Sequence, residues 1–177
     1  MKAKANEKCL LLPNKIKKIL NGYGITVEKR KNDDVYFQFW HESKIIKVPA
    51  NFDISNEIHL IKIFHELGHY LYRKQAIFPH DEVYFSSQFK YYKKYFFWTM
   101  KNEIKAWKLG IKVYEKLFKQ KITDCMKEEI VRCIFSYYAY KGYIGKGLSS
   151  YFDDDNIPSY SEISEKIKKI VIKGEGK

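Results

Sequence analysis

The chain has 177 residues, a length typical of a single domain that can bury a sizeable core. Hydrophobic residues make up 45% of it and aromatic residues 17%, which excludes a disordered polar chain. The formal net charge is +12, and Arg30, Arg73 and Arg132 are its only arginines. A surface dominated by lysine suits loose attraction to polyanions, whereas arginine is the usual choice for bidentate reading of phosphates and bases.

Cysteine usage and hydropathy indicate a cytoplasmic protein. Cys9, Cys125 and Cys133 form no C-x-x-C pair and are odd in number, which predicts reduced thiols. The apolar run before Pro13 is too short for a signal peptide. No segment reaches the roughly 20 apolar residues of a membrane span, so we expect no membrane association.

The first fifty residues predict one helix and a small sheet. A short amphipathic helix follows Pro13 and ends at Asn21-Gly22. Three strand-like segments come next, and a turn at residues 41–43 joins the last two as a hairpin. These segments lie at residues 24–28, 35–40 and 44–48. We therefore predict a small antiparallel sheet of about three strands.

Apolar residues at helical spacing predict that the remainder is mostly helical. The predicted helices cover about 56–73, 98–119, 124–142 and 159–172. Asp53 or Ser55 is the expected cap of the first, and Thr123 or Asp124 that of the third. We expect one α+β domain over residues 1–177, with a core at roughly 13–140 and a C-terminal helix at roughly 159–172.

The sequence His65-Glu66-Leu67-Gly68-His69 is an H-E-x-x-H motif inside the first of these helices. Residues four apart lie about 40° apart around a helix, so His65 and His69 can direct two imidazoles at one metal ion. Glu66 lies about 100° from His65, within reach of a metal-activated water. A zinc hydrolase needs this combination of two nitrogen ligands and one general base.

A catalytic zinc site usually has a third protein ligand, and Glu103 is the best candidate. The extended motif that supplies a third histidine fails, because Tyr72 and Gln75 stand where its Gly and His would be. Glu103 lies at the head of a helical seam whose next members are small, and small residues let another helix approach closely. This seam consists of Glu103, Ala106, Gly110, Val113 and Leu117. His80, Asp81 and Glu82, in an expected loop, are the alternatives.

Residues 84–98 combine aromatic side chains with Lys90, Lys93 and Lys94. Three interpretations stay open for this segment. It is core with a solvated lysine face, a wall beside a peptidase cleft, or a surface for single-stranded nucleic acid.

The helix-and-sheet start, His65-Glu66-Leu67-Gly68-His69 and the later Glu103-x-x-Ala106-Trp107 together resemble the ImmA/IrrE family of small metallopeptidases, over roughly residues 22–117. The resemblance implies a zincin-like fold with one zinc ion per chain, held by His65, His69 and Glu103. It implies that Glu66 is the catalytic base. It also implies a protein substrate such as a transcriptional repressor. The segment after Glu103 departs from the family in having fewer alanines and short aliphatic residues.

The expected activity is therefore hydrolysis of peptide bonds in an intracellular regulatory protein. An exposed sheet edge, for which we expect residues 44–48, could hold the substrate as an added strand. Two alternatives follow from the charge of +12. One is a basic nucleic-acid- or protein-binding module with a structural or non-catalytic zinc site, and the other is a zinc protease that associates with DNA.

Overall fold

A computed structural model describes residues 12–31, 36–75, 89–144 and 160–173, and side chains within 12–31, 36–72, 101–136, 161 and 164–173. The chain is α+β, as predicted: a short helix and a three-stranded sheet precede four further helices. The helices are α1 (Asn14–Gly22), α2 (Glu57–Gln75), α3 (Phe89–Phe118), α4 (Asp124–Ile144) and α5 (Tyr160–Ile167). The strands are β1 (Thr26–Lys29), β2 (Gln38–Trp40) and β3 (Ile45–Val48). A π-helical turn, Lys168–Ile172, continues α5.

The sheet is mixed, so the prediction of an antiparallel sheet is wrong for one of its two strand pairs. The strand order is β1-β3-β2; β1 runs parallel to β3, and β2 runs antiparallel to it. The register places Val27 and Phe39 on either side of Ile46. Ile46 and Phe39 are buried and Val27 is partly buried, so this arrangement aligns one apolar row across the sheet.

The central position of β3 also contradicts the prediction that residues 44–48 form an exposed edge. Both edges of β3 are paired, one with β1 and the other with β2. Within the described part of the sheet, β1 and β2 are the outer strands. Any strand added to this sheet would therefore have to pair with one of these two.

Helix α2 begins one residue after its cap, which is neither of the expected residues. The Asn56 side-chain oxygen accepts hydrogen bonds from the backbone N–H groups of Ile58, at 2.9 Å, and His59, at 3.3 Å. The Asp53 carboxylate instead accepts hydrogen bonds from Ser55. At α4 the prediction is confirmed for Thr123, whose hydroxyl oxygen accepts a hydrogen bond from the Met126 N–H at 3.3 Å.

Helix α3 begins at Phe89, nine residues before the predicted start at residue 98. Residues 89–98 of the aromatic and lysine-rich segment are thus helical. The side chains that would decide among its three interpretations lie outside the described residues, as do residues 84–88. None of the helices within the described ranges combines the length and the apolar character needed to cross a membrane.

The core lies where α2 and α3 meet and continues to α4 and the sheet. Phe64 and Leu67 of α2 and Trp107 and Tyr114 of α3 are at most 1% exposed. Phe64 packs edge-on against Tyr114, with ring centroids 5.5 Å apart. The fully buried Met126, Ile130 and Ile134 extend this core on α4. Full burial of each such side chain contributes about 1.5–3 kcal/mol, so this packing fixes α2 against α3.

A buried ion pair also ties α2 to α4. The Lys62 Nζ lies 2.7 Å from a carboxylate oxygen of Glu129, whose side chain is 3% exposed. Burial raises the pKa of Glu129, but Lys62 and Arg132 outweigh burial and leave that pKa below its ordinary value. The carboxylate is therefore charged at neutral pH and paired on both sides, which a buried charge requires.

Candidate metal centre

Helix α2 places the two histidines of the H-E-x-x-H motif side by side. His65 is buried and His69 is partly exposed. Their Nε2 atoms are 3.1 Å apart, and their ring centroids are 4.5 Å apart. The four-residue spacing on a regular helix thus brings two nitrogen donors to one point, as the sequence predicts.

Two glycines let α3 approach these histidines closely. A Cβ atom built on Gly68 would lie 2.7 Å from the carbonyl carbon of Ala106 on α3. In the opposite direction, a Cβ atom on Gly110 would lie 2.7 Å from the carbonyl carbon of Phe64 on α2. Real Cβ atoms essentially never come within 3.0 Å of such atoms, so the two backbones touch only because both positions are glycine.

Ala106 and Gly110, where α3 touches α2, lie about one and two turns after Glu103 on the same face of α3. Glu103 therefore points towards α2 and reaches its histidines. One carboxylate oxygen, Oε2, is 3.2 Å from the His65 Nε2, and the other, Oε1, is 3.5 Å from the His69 Nε2. Within the described part of the chain, His65, His69 and Glu103 are the one group of three or more His, Cys, Asp or Glu residues whose ligand atoms all lie within 4.8 Å. The structure therefore brings together the three residues that the sequence predicts as ligands.

The spacing of these atoms fits a metal ion. Two ligands at ordinary zinc distances, in tetrahedral arrangement, are about 3.3–3.6 Å apart. The measured nitrogen–nitrogen and nitrogen–oxygen separations are 3.1, 3.2 and 3.5 Å. The Glu103 Oε2 is buried and has no hydrogen-bond partner, although the His65 Nε2 lies 3.2 Å away. Three ligand atoms at these separations fit around one metal ion, so these residues could hold one.

The Glu103 carboxylate and the His69 imidazole perturb each other's protonation. Burial raises the pKa of the Glu103 carboxyl, but the His65 and His69 imidazoles outweigh burial and lower that pKa to about 2. Burial lowers the pKa of His69, but Glu103, with a smaller contribution from Glu66, outweighs burial and raises that pKa above its ordinary value. Glu103 is therefore an anion throughout the physiological range, as a metal ligand must be.

Trp107 fixes the orientation of the His65 ring. The indole stacks on the imidazole with ring centroids 4.0 Å apart and an interplanar angle of 19°, and Trp107 is 1% exposed. Trp107 lies one turn after Glu103, so the same stretch of α3 supplies both the third candidate ligand and this support. Trp107 enters the sequence-based predictions only through the family resemblance, and no role at the site is predicted for it. The four-residue spacing from Glu103 is the one signal that could have assigned it to the site.

Glu66 and His69 differ in their exposure to solvent. Glu66 is buried, at 7% exposed, next to the ligand group. The His69 side chain is 22% exposed, compared with 8% and 9% for the side chains of His65 and Glu103. Among the three candidate ligands, His69 is therefore the one whose side chain is most open to solvent, and a catalytic metal site needs such an open side whereas a structural one is closed.

His59, the remaining histidine of α2, does not join this group. His59, six residues before His65, stacks on Phe52 with ring centroids 5.7 Å apart and contacts the backbone of Asp53, so it belongs to the start of α2. The alternative third ligands His80, Asp81 and Glu82 lie outside the described residues. Glu103 is thus the candidate third ligand that the described structure places at the histidines.

Searches against family models, curated proteins and solved structures return no match to this chain.

Proposed function

We propose that this protein is a zinc-dependent endopeptidase in which His65, His69 and Glu103 hold the metal ion and Glu66 is the general base. The observation that carries the proposal is the position of Glu103, whose two carboxylate oxygens lie 3.2 and 3.5 Å from the imidazole nitrogens of the H-E-x-x-H motif. Two histidines and one glutamate are the protein ligands of several zinc peptidases, which leave a fourth position for water.

The donor set alone also suits iron in non-haem oxygenases, which use two histidines and one carboxylate. Glu66 favours the zinc hydrolase. It directly follows a ligand on the helix, is buried beside the site and has no place among the three ligands. A carboxylate so placed is the general base that hydrolysis needs.

A bound zinc ion supplies Lewis-acid polarisation of the scissile carbonyl and of the attacking water. Glu66 takes the proton from that water and returns it to the leaving amine. Trp107 holds the His65 ring in place, and burial of His65 and Glu103 keeps bulk water away from two of the three ligands. Together these residues provide positioning and proton transfer, and His69 lies at the solvent side where substrate enters.

The outer strand β2 is the proposed site of substrate docking, in place of the central strand β3. Phe39 of β2 packs edge-on against Tyr70, with ring centroids 5.6 Å apart, and Tyr70 directly follows His69. Within the described sheet the side of β2 away from β3 is unpaired, and a peptide that pairs there is the proposed route of the substrate to the metal ligands. Backbone pairing gives affinity with little dependence on sequence, so side-chain pockets set the cleavage site.

The proposed substrate class rests on the resemblance to the ImmA/IrrE family. The residues that carry it are the motif from His65 to His69 and Glu103 with Ala106 and Trp107 after it. By that resemblance the substrate is an intracellular regulatory protein such as a transcriptional repressor.

Glu66→Gln tests the proposal, because it removes the base and leaves the ligands. Wild-type protein loaded with one zinc ion is incubated with a proteome-derived peptide library, and cleavage is read by mass spectrometry. We expect Glu66→Gln to bind zinc normally and to cut about 10²–10⁴-fold more slowly. The control is Glu57→Gln, the same change in the first turn of α2, which should cut at the wild-type rate.

Two outcomes count against the proposal. One is a zinc-loaded wild-type protein that cuts no peptide or protein. The other is a Glu66→Gln variant as active as the wild type. Zinc binding without any cleavage would favour a binding module with a non-catalytic metal site.

A further inference from the structure

One face of α3 carries lysines at helical spacing over several turns. Successive members are three or four residues apart, so they fall on one stripe within about 80° around the axis. We call this set the lysine row: Lys101, Lys105, Lys108, Lys112 and Lys116. At a rise of about 1.5 Å per residue, the row is about 22 Å long.

The lysine row is open to solvent, and in the part of the chain that the structure describes its charges are not paired with carboxylates. Lys101, Lys105, Lys112 and Lys116 are exposed and Lys108 is partly exposed. None of the five forms an ion pair with a carboxylate within the described residues. Glu115, which borders the row, instead pairs with Lys121 at 2.9 Å. The positive charges of the row therefore have no partner on the protein surface that the structure describes.

The row and the candidate metal centre lie on opposite sides of α3. Gly110, which contacts α2, is two residues from both Lys108 and Lys112, about 160° around the helix from each. A partner bound along the row would leave the His69 side of the metal centre free.

The chemistry of the row selects the phosphate backbone as its partner. Lysines act as mobile point charges that neutralise phosphates, and the row holds no arginine that could read bases bidentately. The row also holds no aromatic side chain, which binding of single strands would need as a stacking platform. A straight, rigid line of charges suits the regularly spaced phosphates of a stiff duplex.

We propose that the lysine row of α3 is a docking surface for the phosphate backbone of double-stranded DNA. Binding there is independent of base sequence and is driven by the release of counterions. It does not depend on the metal centre or on peptidase activity. If this DNA docking and the proposed peptidase function both hold, the protein searches for its substrate while bound to DNA.

The experiment compares two variants that lose the same charge. The row variant carries Lys101→Gln, Lys105→Gln, Lys112→Gln and Lys116→Gln. The control variant carries four lysine-to-glutamine changes at exposed positions on other elements: Lys15, Lys17, Lys18 and Lys169. Fluorescence anisotropy of a labelled 20-base-pair duplex gives the binding constant over a series of NaCl concentrations.

Five phosphate contacts predict a slope of log K against log[NaCl] of about −4.5, at about −0.9 per contact. We expect the row variant to lose most of this slope, leaving about −1, and the control variant to keep the wild-type slope. Circular dichroism and zinc content should be the same in all three proteins, because every substituted side chain is on the surface.

Three results would overturn the proposal. If wild-type protein does not bind the duplex at 20 mM NaCl, double-stranded DNA is not the partner of the row. Equal loss of slope in both variants means that net charge, and not the row, attracts the DNA. A single strand of the same sequence that binds as tightly as the duplex and responds equally to the row variant makes single-stranded nucleic acid the occupant.

Discussion

Glu103 and His69 lie side by side, and each residue changes the charge state of the other. The pKa of Glu103 is lowered from 4.5 to about 2 and that of His69 is raised from 6.5. A group with a lowered pKa stabilises the fold above its unfolded pKa, and one with a raised pKa stabilises it below its unfolded pKa. In the metal-free protein the pair therefore contributes most between about pH 4.5 and pH 6.5.

The variant Glu103→Gln tests this pH dependence. The free energy of unfolding is measured by urea titration for metal-free wild-type and variant proteins between pH 3 and pH 9. We expect the difference between them to be largest between about pH 4.5 and pH 6.5. It should shrink as pH falls towards the lowered pKa of Glu103 and as pH rises through the raised pKa of His69. A difference that does not vary with pH would mean that Glu103 is not charged beside His69.

The ligand positions could be predicted from sequence because a helix converts spacing directly into direction. The periodicity of α2 alone predicts the positions of His65, Glu66 and His69. The small neighbours of Glu103 on α3 predict its position. The spacing of Trp107 from Glu103 indicates a place near the site, but the stacking of its ring on His65 could not be foreseen. It depends on how far α3 is displaced along α2, and side-chain spacing within one helix carries no information about that displacement.

At the level of elements, the contact between α2 and α3 sets the distance between the third candidate ligand and the other two. Gly68→Ala would place a Cβ atom 2.7 Å from the Ala106 carbonyl carbon. Overpacking of this kind typically costs about 1–3 kcal/mol, and we expect a value at or above the upper end because backbone atoms are in the way. Zinc affinity should fall with stability, since Glu103 moves away together with α3.

Gly22→Ala is the matched control, because a Cβ atom at Gly22 meets nothing within 4 Å. It should leave zinc affinity unchanged and alter stability by no more than about 1 kcal/mol. The measurements are urea denaturation and a zinc competition titration. If the Gly68→Ala variant is as stable as Gly22→Ala and binds zinc as tightly, the helices are not in contact at this point.

Strand and helix positions were predictable to within a few residues, apart from the start of α3, but strand pairing was not. The turn at residues 41–43 indicates the antiparallel pairing of β2 with β3, because a short turn joins neighbouring strands. The parallel pairing of β1 with β3 joins two strands that are not consecutive along the chain, and such a pairing has no local signature in the sequence. The start of α3 was missed because residues 89–97 are aromatic and basic on all sides, which hides the helical period.

For the whole molecule, a metal ion at the proposed site would act as a cross-link between α2 and α3. The ligands come from two helices that are distant in sequence, so an unfolded chain binds zinc far more weakly than the folded one. At a free zinc concentration 100 times the dissociation constant, binding stabilises the fold by about 2.7 kcal/mol. For a chain of this size that corresponds to a rise in melting temperature of roughly 5–10 °C.

Removing the metal ion should reverse this stabilisation. We expect addition of a chelator to lower the melting temperature of the zinc-loaded wild-type protein by that amount, and zinc, but not magnesium, to restore it. His65→Gln, which lacks one ligand, should melt at the same temperature with and without chelator. Differential scanning fluorimetry measures these melting temperatures. A wild-type melting temperature that is indifferent to zinc would exclude the three-residue site.

The glycine between the two histidines also limits how this sequence can change over evolutionary time. The atoms that confront Gly68 belong to the backbone of Ala106, so no smaller side chain on α3 could accommodate a larger residue at position 68. Only displacement of the whole of α3 would make room for a larger residue, and that displacement would carry Glu103 out of reach of the histidines. In any descendant of this chain that keeps the same two helices, replacement of Gly68 and retention of Glu103 as a ligand are therefore mutually exclusive. Genetic selection for second-site suppressors of Gly68→Ala should recover none on α3.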